Sequence, residues 1–256
     1  MYPTGIKALG KVDPRRRLLL ALSGAFLAAH FYTWNFAIHN TTVANAVLFF
    51  AFNPVFAAVL EWLVLKEKIT QRLLVAIVLG ATGAIVTGIS DINLDSNHIV
   101  GDLAGLASGG FFALYFLAGR YLTRDIPIIT YSISVYGVSG LLCFILVGLS
   151  GQEILVAGTN NWIAFALLGL FSTGVGHSAY SYGLKHMKAT VLSLFTLLEP
   201  ILVGIGAYFF WGESITPPTL VGFCFIGAAA LILTSRKPLR IFPRKSTDPE
   251  TEASLR

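Results

Sequence analysis

The chain has 256 residues, of which 55% are hydrophobic and only 12% are charged, and its mean hydropathy is +0.73. This composition supplies too little polar surface for a soluble globule of that length, which excludes a soluble protein and indicates a membrane protein. The formal net charge of +5 would suggest nucleic-acid binding in a soluble protein. Here it is explained by loops that face anionic headgroups, so we expect membrane lipids and no nucleic acid as partners.

Eight apolar runs follow one another along the chain, each close to the roughly 20 residues that cross a bilayer core. They predict an all-α, polytopic transmembrane helix bundle of eight spans. The first run follows a cluster of arginines and could also be a signal peptide, but it stays apolar as far as Ile38, which is too long for that. The runs lie at about residues 18–38, 43–64, 73–90, 101–119, 129–149, 162–182, 189–211 and 218–235.

All 18 lysines and arginines lie in alternate gaps between these runs. They occupy the N-terminal segment (residues 1–17), the second, fourth and sixth connections, and the C-terminal tail (residues 236–256), whereas the other four connections hold none. Positive charge in short loops marks the cytoplasmic side. We therefore predict a multi-pass protein of the cell (inner) membrane with both termini cytoplasmic, and a disordered basic tail.

The chain contains an internal repeat. Sliding the sequence against itself by 146 residues superposes two long stretches without a gap. Proline, glutamate and threonine are the residues least expected to match through membrane bias, so a duplication explains the match better than shared hydrophobicity does. The first proline lies on the second run and the second on the seventh, which predicts an inverted repeat, the architecture of secondary transporters. The matched pairs include Pro54 with Pro200, Glu67 with Glu213, and Thr70 with Thr216.

These residues resemble the EamA-like branch of the drug/metabolite transporter superfamily. The resemblance rests on NPVFAAVLEWLVLKEKIT in the first copy, EPILVGIGAYFFWGESIT in the second, and GDLAGLASGGFFALYFLAGR from Gly101 to Arg120. It covers about residues 15–236. It implies a permease that moves a small organic metabolite, such as an amino acid, outward by alternating access, either coupled to protons or without a coupling ion.

The chain departs from the family pattern of two five-helix repeats. It supplies a partial first repeat of three helices (residues 18–90) and a second repeat of five (residues 101–235), so the first two of ten spans are missing. The native protein could begin further upstream, which we favour, or it could be a shortened paralogue completed by a partner chain or homodimer, or a non-functional remnant. The alternative to transport is therefore a truncated, non-transporting or partner-dependent membrane subunit.

The motifs of other functional classes are absent from the sequence. It has no HExxH, GxGD or GxSxG motif and no glycine-rich phosphate loop, which argues against an enzyme and against transport driven by ATP. We expect no cofactor. Cys143 and Cys224 lie inside apolar runs, so we expect them to be buried and see no basis for a disulfide or a metal site.

Glu199 is the strongest candidate for a functional residue. It falls near the centre of the seventh run, where a carboxyl group is costly unless it faces a cavity or a partner. It precedes Pro200, which removes a backbone donor and should break the helix. Glu199 could bind a substrate amine or a proton, or it could be a neutral side chain bonded to a neighbouring helix. Asn53 and Pro54 occupy the matching place in the first copy.

Two histidines with aromatic neighbours form the second candidate group. His30 with Trp34, and His177 with Tyr180, follow helical spacing on equivalent runs, so each pair should face the interior of the bundle. Tyr115 on the fourth run is a further candidate. These side chains could enclose a small solute, but for each histidine a simple hydrogen bond between helices is the alternative.

Other acidic residues and several glycines have structural roles. Glu67 and Glu213 should hold tight turns or act as gates by pairing across the interface between the copies. We expect Glu61 to reach the headgroups and Asp102 to cap the fourth helix. Three pairs of glycines should allow close helix packing: Gly80 with Gly83, Gly105 with Gly109, and Gly204 with Gly206.

Overall fold

The structure is a computed structural model that describes residues 9–10, 12–88, 98–151, 158–212 and 215–235. Within these residues it is helical throughout and has no strand, and all eight apolar runs form helices. The predicted all-α fold is therefore confirmed. In chain order the helices are α1 (Pro14–Asn40), α2 (Val43–Phe50), α3 (Asn53–Leu65), α4 (Gln71–Gly88), α5 (Ile99–Leu122), α6 (Ile128–Leu149), α7 (Thr159–Leu167), the π-helix (Leu168–His177), α8 (Ser178–His186), α9 (Ala189–Thr196), α10 (Glu199–Trp211) and α11 (Pro217–Thr234).

Helix starts are set by side-chain caps. Asp13 accepts a hydrogen bond from the N–H of Arg16 at 3.0 Å, which begins α1, and Thr42 does the same for Asn45 at 3.1 Å, which begins α2. Pro14 occupies the first position of α1. An N–H at this position has no partner within the helix, so proline costs no hydrogen bond there.

Six helical segments of the described residues are long and apolar enough to cross a membrane, and the chain is a multi-pass membrane protein. Gln71–Thr87 is a shorter apolar helix, and α1 is 27 residues long but carries several polar side chains. The count of eight spans therefore stays a prediction. The six segments are Asn45–Leu65, Ile99–Leu122, Ile128–Leu149, Thr159–His186, Ala189–Phe210 and Pro217–Thr234.

The two runs that hold the paired prolines are each broken into two short helices. One break separates α2 from α3 just before Pro54, and the other separates α9 from α10 just before Pro200. The two breaks have the same backbone hydrogen bonds, 146 residues apart. At the first break the Phe52 N–H donates to the Phe49 carbonyl (3.3 Å) and the Val55 N–H donates to the Phe52 carbonyl (2.9 Å). At the second break the Leu198 N–H donates to the Phe195 carbonyl (3.1 Å) and the Ile201 N–H donates to the Leu198 carbonyl (3.1 Å).

The sixth run is not a uniform α-helix. Its middle third, Leu168–His177, is a π-helix between α7 and α8. π-Helical turns are rare in proteins, and those that occur are often found at functional sites. The segment ends at His177, one of the predicted site residues.

Helix α5 is the packing centre of the described residues. Added side-chain carbons at Gly105 and Gly109 would lie 3.1 Å and 3.0 Å from the carbonyl oxygens of Ala46 and Phe50, so the predicted close approach at this pair is confirmed. These two glycines let the broken first-copy helix pack directly on α5.

Helices α4 and α11 form a second close pair. An added carbon at Gly83 would lie 2.8 Å from the Gly222 carbonyl oxygen, and one at Gly80 would lie 2.6 Å from a methyl group of Leu197. Gly204 meets only the ring of Phe223, and Gly206 has nothing within 4 Å among the described residues, so the predicted packing role of Gly206 is wrong.

The two cysteines are not buried as predicted. Cys143 is half-buried and Cys224 is exposed. A thiol behaves as a small hydrophobic group, so a surface that faces lipid accepts it as readily as the core does.

Candidate functional site

Four of the seven predicted cavity residues lie around the ring of Phe112, and a fifth, Trp34, joins the group through Phe50. Phe112 is 4.8 Å from His30 and 6.0 Å from His177, measured between ring centroids, so it contacts both histidines. Phe112 was not predicted from the sequence, although it shares a helix face with Tyr115. We call this group the histidine–aromatic cluster, and its members are His30, Phe31, Trp34, Phe50, Phe112, Tyr115, Phe116, His177 and Tyr180.

The two histidines have different environments. The Nδ1 atom of His30 lies 2.8 Å from the hydroxyl of Ser108 on α5, which is the hydrogen bond between helices considered above. The Nδ1 atom of His177 is buried and has no hydrogen-bond partner within the described residues. His177 is therefore the histidine with bonding capacity to spare for a ligand.

The cluster has a closed side and an open side. Tyr115 is wholly buried, and its hydroxyl lies 3.3 Å from that of Ser181. Tyr180 and Trp34 are only partly buried. Tyr180 and Trp34 therefore lie at the outer side of the cluster, whereas Tyr115 lies inside the bundle.

Glu199 lies at the open side. It is the first residue of α10, directly after the break, and it is exposed. It makes no hydrogen bond or ion pair with any described residue, which does not support a carboxyl group bonded to a neighbouring helix. Glu199 is close enough to Tyr180 for the two groups to interact electrostatically. The carboxyl group therefore belongs to the open face of the cluster.

Asn53 lies in a wholly buried position at the break between α2 and α3. Its side-chain Nδ2 donates a hydrogen bond to Thr196 Oγ1 at 3.1 Å. This bond joins the two broken helices of the chain. Glu199, the residue that matches Asn53 in the repeat, is exposed, so the two matched positions differ in environment.

A second polar group lies at the end of the bundle that the charge pattern assigns to the cytoplasm. Glu61 on α3 is buried and pairs with the guanidinium of Arg120 on α5. The same carboxylate accepts hydrogen bonds from the N–H of Ala189 (2.7 Å) and from the N–H (3.2 Å) and hydroxyl (2.6 Å) of Thr190. Glu61 therefore caps α9, and its negative charge suits a helix N-terminus.

Glu67 extends this group through the turn after α3. Lys66 adopts a left-handed conformation (φ 55°), which ends α3. Glu67 pairs with Arg120 and, at 2.6 Å, with Lys188. The hydrogen bond from Lys188 lowers the pKa of the Glu67 carboxyl, partial burial opposes this, and the positive charges of Arg120 and Lys188 lower it further. We call Glu61, Glu67, Arg120, Lys188 and Thr190 the ionic cluster.

Two predictions about single acidic residues are wrong. Glu61 does not reach the headgroups, because Arg120 and the start of α9 hold it inside the bundle. Asp102 does not cap its own helix: its Oδ1 accepts hydrogen bonds from Thr41 (2.6 Å) and Asn45 (3.0 Å) at the start of α2. Glu213 lies outside the described residues. The charge pattern places Arg120 in a connection between two runs, whereas the structure buries it as the ionic partner of Glu61.

The described residues hold no group of three or more histidine, cysteine, aspartate or glutamate side chains that could bind a metal ion. The polar groups that do converge are a histidine–aromatic cluster between helices and an ionic cluster at one end. Together with several apolar spans, these features define a polytopic helical membrane protein.

Comparison with known proteins identifies the family. The model of the EamA-like transporter family matches residues 3–89 and 99–235. The chain belongs to this family and is a membrane transporter, so the resemblance inferred from the motifs is confirmed.

Similar proteins carry transporter names. An uncharacterized transporter of Archaeoglobus fulgidus is 27% identical over 237 residues, which cover 91% of this chain and 80% of that protein. The uncharacterized transporter YwfM of Bacillus subtilis is 26% identical over 85% of this chain and 73% of its own length. The GDP-fucose transporter 1 of Dictyostelium discoideum is 24% identical over 67% of this chain and 48% of that protein.

A solved crystal structure shares the fold. It superposes with a TM-score of 0.69 at 16% sequence identity and covers 86% of this chain and 85% of its own chain. At that identity the likeness supports the fold alone.

Proposed function

We propose that this transporter is a secondary permease that moves a small organic metabolite, such as an amino acid, outward across the cell membrane by alternating access. The observation that carries the proposal is the ionic cluster. It joins Glu61 and Glu67 of the first copy to Arg120, Lys188 and Thr190 of the second. A bond network between the two copies at one end of the bundle is what a closed cytoplasmic side requires.

The local backbone supports a repeat of the same structure in the two copies. The breaks before Pro54 and Pro200 have the same hydrogen-bond pattern. The turns after the broken helices also match, because Lys66 (φ 55°) and Gly212 (φ 70°), 146 residues apart, are both left-handed. Broken helices near the midplane, one from each copy, are the usual location of a transported solute.

The histidine–aromatic cluster is the proposed solute site. Its aromatic rings suit an apolar or aromatic solute portion, and the unpartnered Nδ1 of His177 suits a polar group. Glu199, exposed beside Tyr180, suits an amine of the solute or a proton. Helical breaks and packed glycines would let the copies move relative to each other.

Tyr180 and Tyr182 provide a matched test of this site. Both lie on α8, but Tyr180 contacts the cluster whereas Tyr182 is 60% exposed and contacts only His186 among the rings of the described residues. We expect Tyr180→Ala to lower efflux of radiolabelled amino acids from proteoliposomes by about tenfold, the effect of losing roughly 1.4 kcal/mol of binding. Tyr182→Ala should leave it unchanged. Equal effects of the two substitutions would contradict the proposed site.

Coupling is tested separately at Glu199. If a proton on this carboxyl drives export, Glu199→Gln should lower efflux at unchanged protein abundance, and collapse of the proton gradient should lower efflux of the wild type. Efflux that is indifferent to both treatments would rule out this coupling and leave a facilitator.

A partner-dependent subunit is the second candidate. The side chains of residues 159–172 are all exposed, including polar Asn160 and Ser172, so this segment has room for another chain. A second copy or a partner could cover it. Efflux by the purified chain alone would exclude dependence on a different protein, and efflux that needs co-purified membrane proteins would favour it.

A further inference from the structure

The two broken helices meet at a buried polar junction that the proposed solute site does not use. Asn53 from the first break, with Ser193 and Thr196 from the end of α9, form it. Asn53 and Ser193 are wholly buried and Thr196 is 5% exposed. Asn53 Nδ2 donates to Thr196 Oγ1 at 3.1 Å, and Thr196 Oγ1 donates to the Ser193 carbonyl at 2.7 Å. We call these three residues the break junction.

Two oxygen atoms of the break junction have no partner. The bond from Nδ2 fixes the orientation of the Asn53 amide and leaves Oδ1 without a donor, and the Ser193 hydroxyl is also unpartnered within the described residues. Buried polar atoms are nearly always satisfied in native proteins, and each exception calls for an explanation. A ligand that both oxygens contact would satisfy them together.

The chemistry of the junction favours a cation. An amide oxygen can only accept hydrogen bonds or ligate a cation. Helices α2 and α9 end at the two breaks and α3 and α10 begin there, so the partial charges of the helix ends oppose one another. Pro54 and Pro200 have no N–H, so the carbonyls of Phe50 and Thr196 lack their usual helical donors. These free carbonyl oxygens, together with Asn53 Oδ1, can ligate a cation but cannot donate to an anion.

The size and charge of the site favour a small monovalent ion. Because Asn53 and Ser193 are wholly buried, an organic solute cannot reach them, and a ligand at the junction would have to be as small as a single ion. None of its three side chains is charged, so a divalent ion would keep an uncompensated charge. Helix ends and unwound carbonyls are the groups that bind sodium in membrane transporters with discontinuous helices.

We propose that the break junction is a sodium site, bound by Asn53 Oδ1, Ser193 Oγ and backbone carbonyls. Because the site joins the two copies, sodium stabilises their association at the break. Its role as the coupling ion rests on the proposed transport function, whereas binding itself does not. Cation coupling at this site is independent of Glu199.

The test is ion-dependent stability of the full chain purified in detergent. A ligand that binds only the folded state raises the unfolding temperature. We expect NaCl to raise the Tm relative to potassium chloride and choline chloride at equal ionic strength, and we expect bound ²²Na⁺ to be measurable. Ser193→Ala and Asn53→Ala should abolish the Tm response and weaken ²²Na⁺ binding about tenfold or more.

Ser132→Ala is the matched control. The Ser132 hydroxyl on α6 is also buried and unpartnered within the described residues, but it lies away from the breaks. This variant should keep the full sodium response. Ser193→Ala removes only the hydroxyl oxygen, so it perturbs the fold least and serves as the test if Asn53→Ala does not fold.

Two outcomes would overturn the proposal: a Tm that is the same in all three salts, as expected if only an ordered water satisfies the junction, or a sodium response that survives in Ser193→Ala. Amino-acid efflux from proteoliposomes separates this result from the proposed function. Efflux without any sodium response overturns the sodium site and leaves transport intact. A sodium response without efflux supports the site and counts against the proposed function.

Discussion

Replacement of Glu61 by glutamine tests the ionic cluster most directly, because it removes one charge and keeps the shape of the side chain. Glu61 is 2% exposed and Arg120 is 7% exposed. In the variant, the buried guanidinium keeps only Glu67 as a charged partner. Breaking a buried pair by removing one member typically costs about 3–5 kcal/mol. Since Glu67 remains and the amide oxygen still accepts a hydrogen bond, we expect a loss of about 2–3 kcal/mol in the free energy of unfolding.

The assay is a double-mutant cycle in detergent micelles. Glu61→Gln, Arg120→Met and the double variant are unfolded with denaturant, and the two single losses should exceed the double loss by about 1.5 kcal/mol or more. Asp125→Asn is the control, because Asp125 pairs with Arg16 at 2.8 Å on the exposed surface. An exposed pair of this kind should contribute less than about 0.5 kcal/mol.

Additivity would refute the reasoning. If the two single losses add within about 0.5 kcal/mol in the double variant, Glu61 and Arg120 do not stabilise each other. A loss in Glu61→Gln no larger than that in Asp125→Asn would have the same meaning.

Acid titration and glycine substitution test two further features. The pKa of Glu67 is lowered from its ordinary value of 4.5, chiefly by Lys188, so its stabilisation is complete above that value and is lost as the pH falls through the lower folded-state pKa. Glu67→Gln should therefore flatten the acid end of the profile of Tm against pH, and an unchanged profile would count against the pairing. Gly222→Ala should destabilise the α4–α11 pair by about 1–3 kcal/mol, since the new carbon would lie 2.7 Å from the backbone oxygen of Gly83 and 2.7 Å from the backbone nitrogen of Thr87. Gly227→Ala, with nothing within 4 Å among the described residues, should not, and equal losses would contradict the close contact.

The sequence alone predicted the helices and their breaks but not the polar contacts between them. Apolar runs and prolines act within one stretch of chain, so the helices and the breaks before Pro54 and Pro200 followed from local chemistry. The caps at Asp13 and Thr42 were not predicted, and the cap predicted at Asp102 is wrong. The Glu61–Arg120 pair joins residues 59 positions apart, and no local pattern distinguishes a buried arginine near a helix end from one in a cytoplasmic loop.

The candidate site was predicted in composition more than in arrangement. Helical spacing placed His30, Trp34, His177 and Tyr180 on inward faces, and they do converge. The central ring, Phe112, was missed because one phenylalanine on an apolar helix looks like any other. The π-helix before His177 was missed for a similar reason, since its bonding is set by how the segment packs and not by a residue type.

Helix α5 is anchored at both ends by charge. Asp102 near its start binds Thr41 and Asn45, and Arg120 near its end binds Glu61. Its 24 residues form a rod about 36 Å long. A stiff helix cannot tilt at one end alone, so a movement that separates Arg120 from Glu61 would also strain the hydrogen bonds of Asp102 with Thr41 and Asn45. In the proposed alternating-access cycle, a tilt of α5 would therefore act on both anchors at once, so a substitution at either end would change the balance between the two conformations.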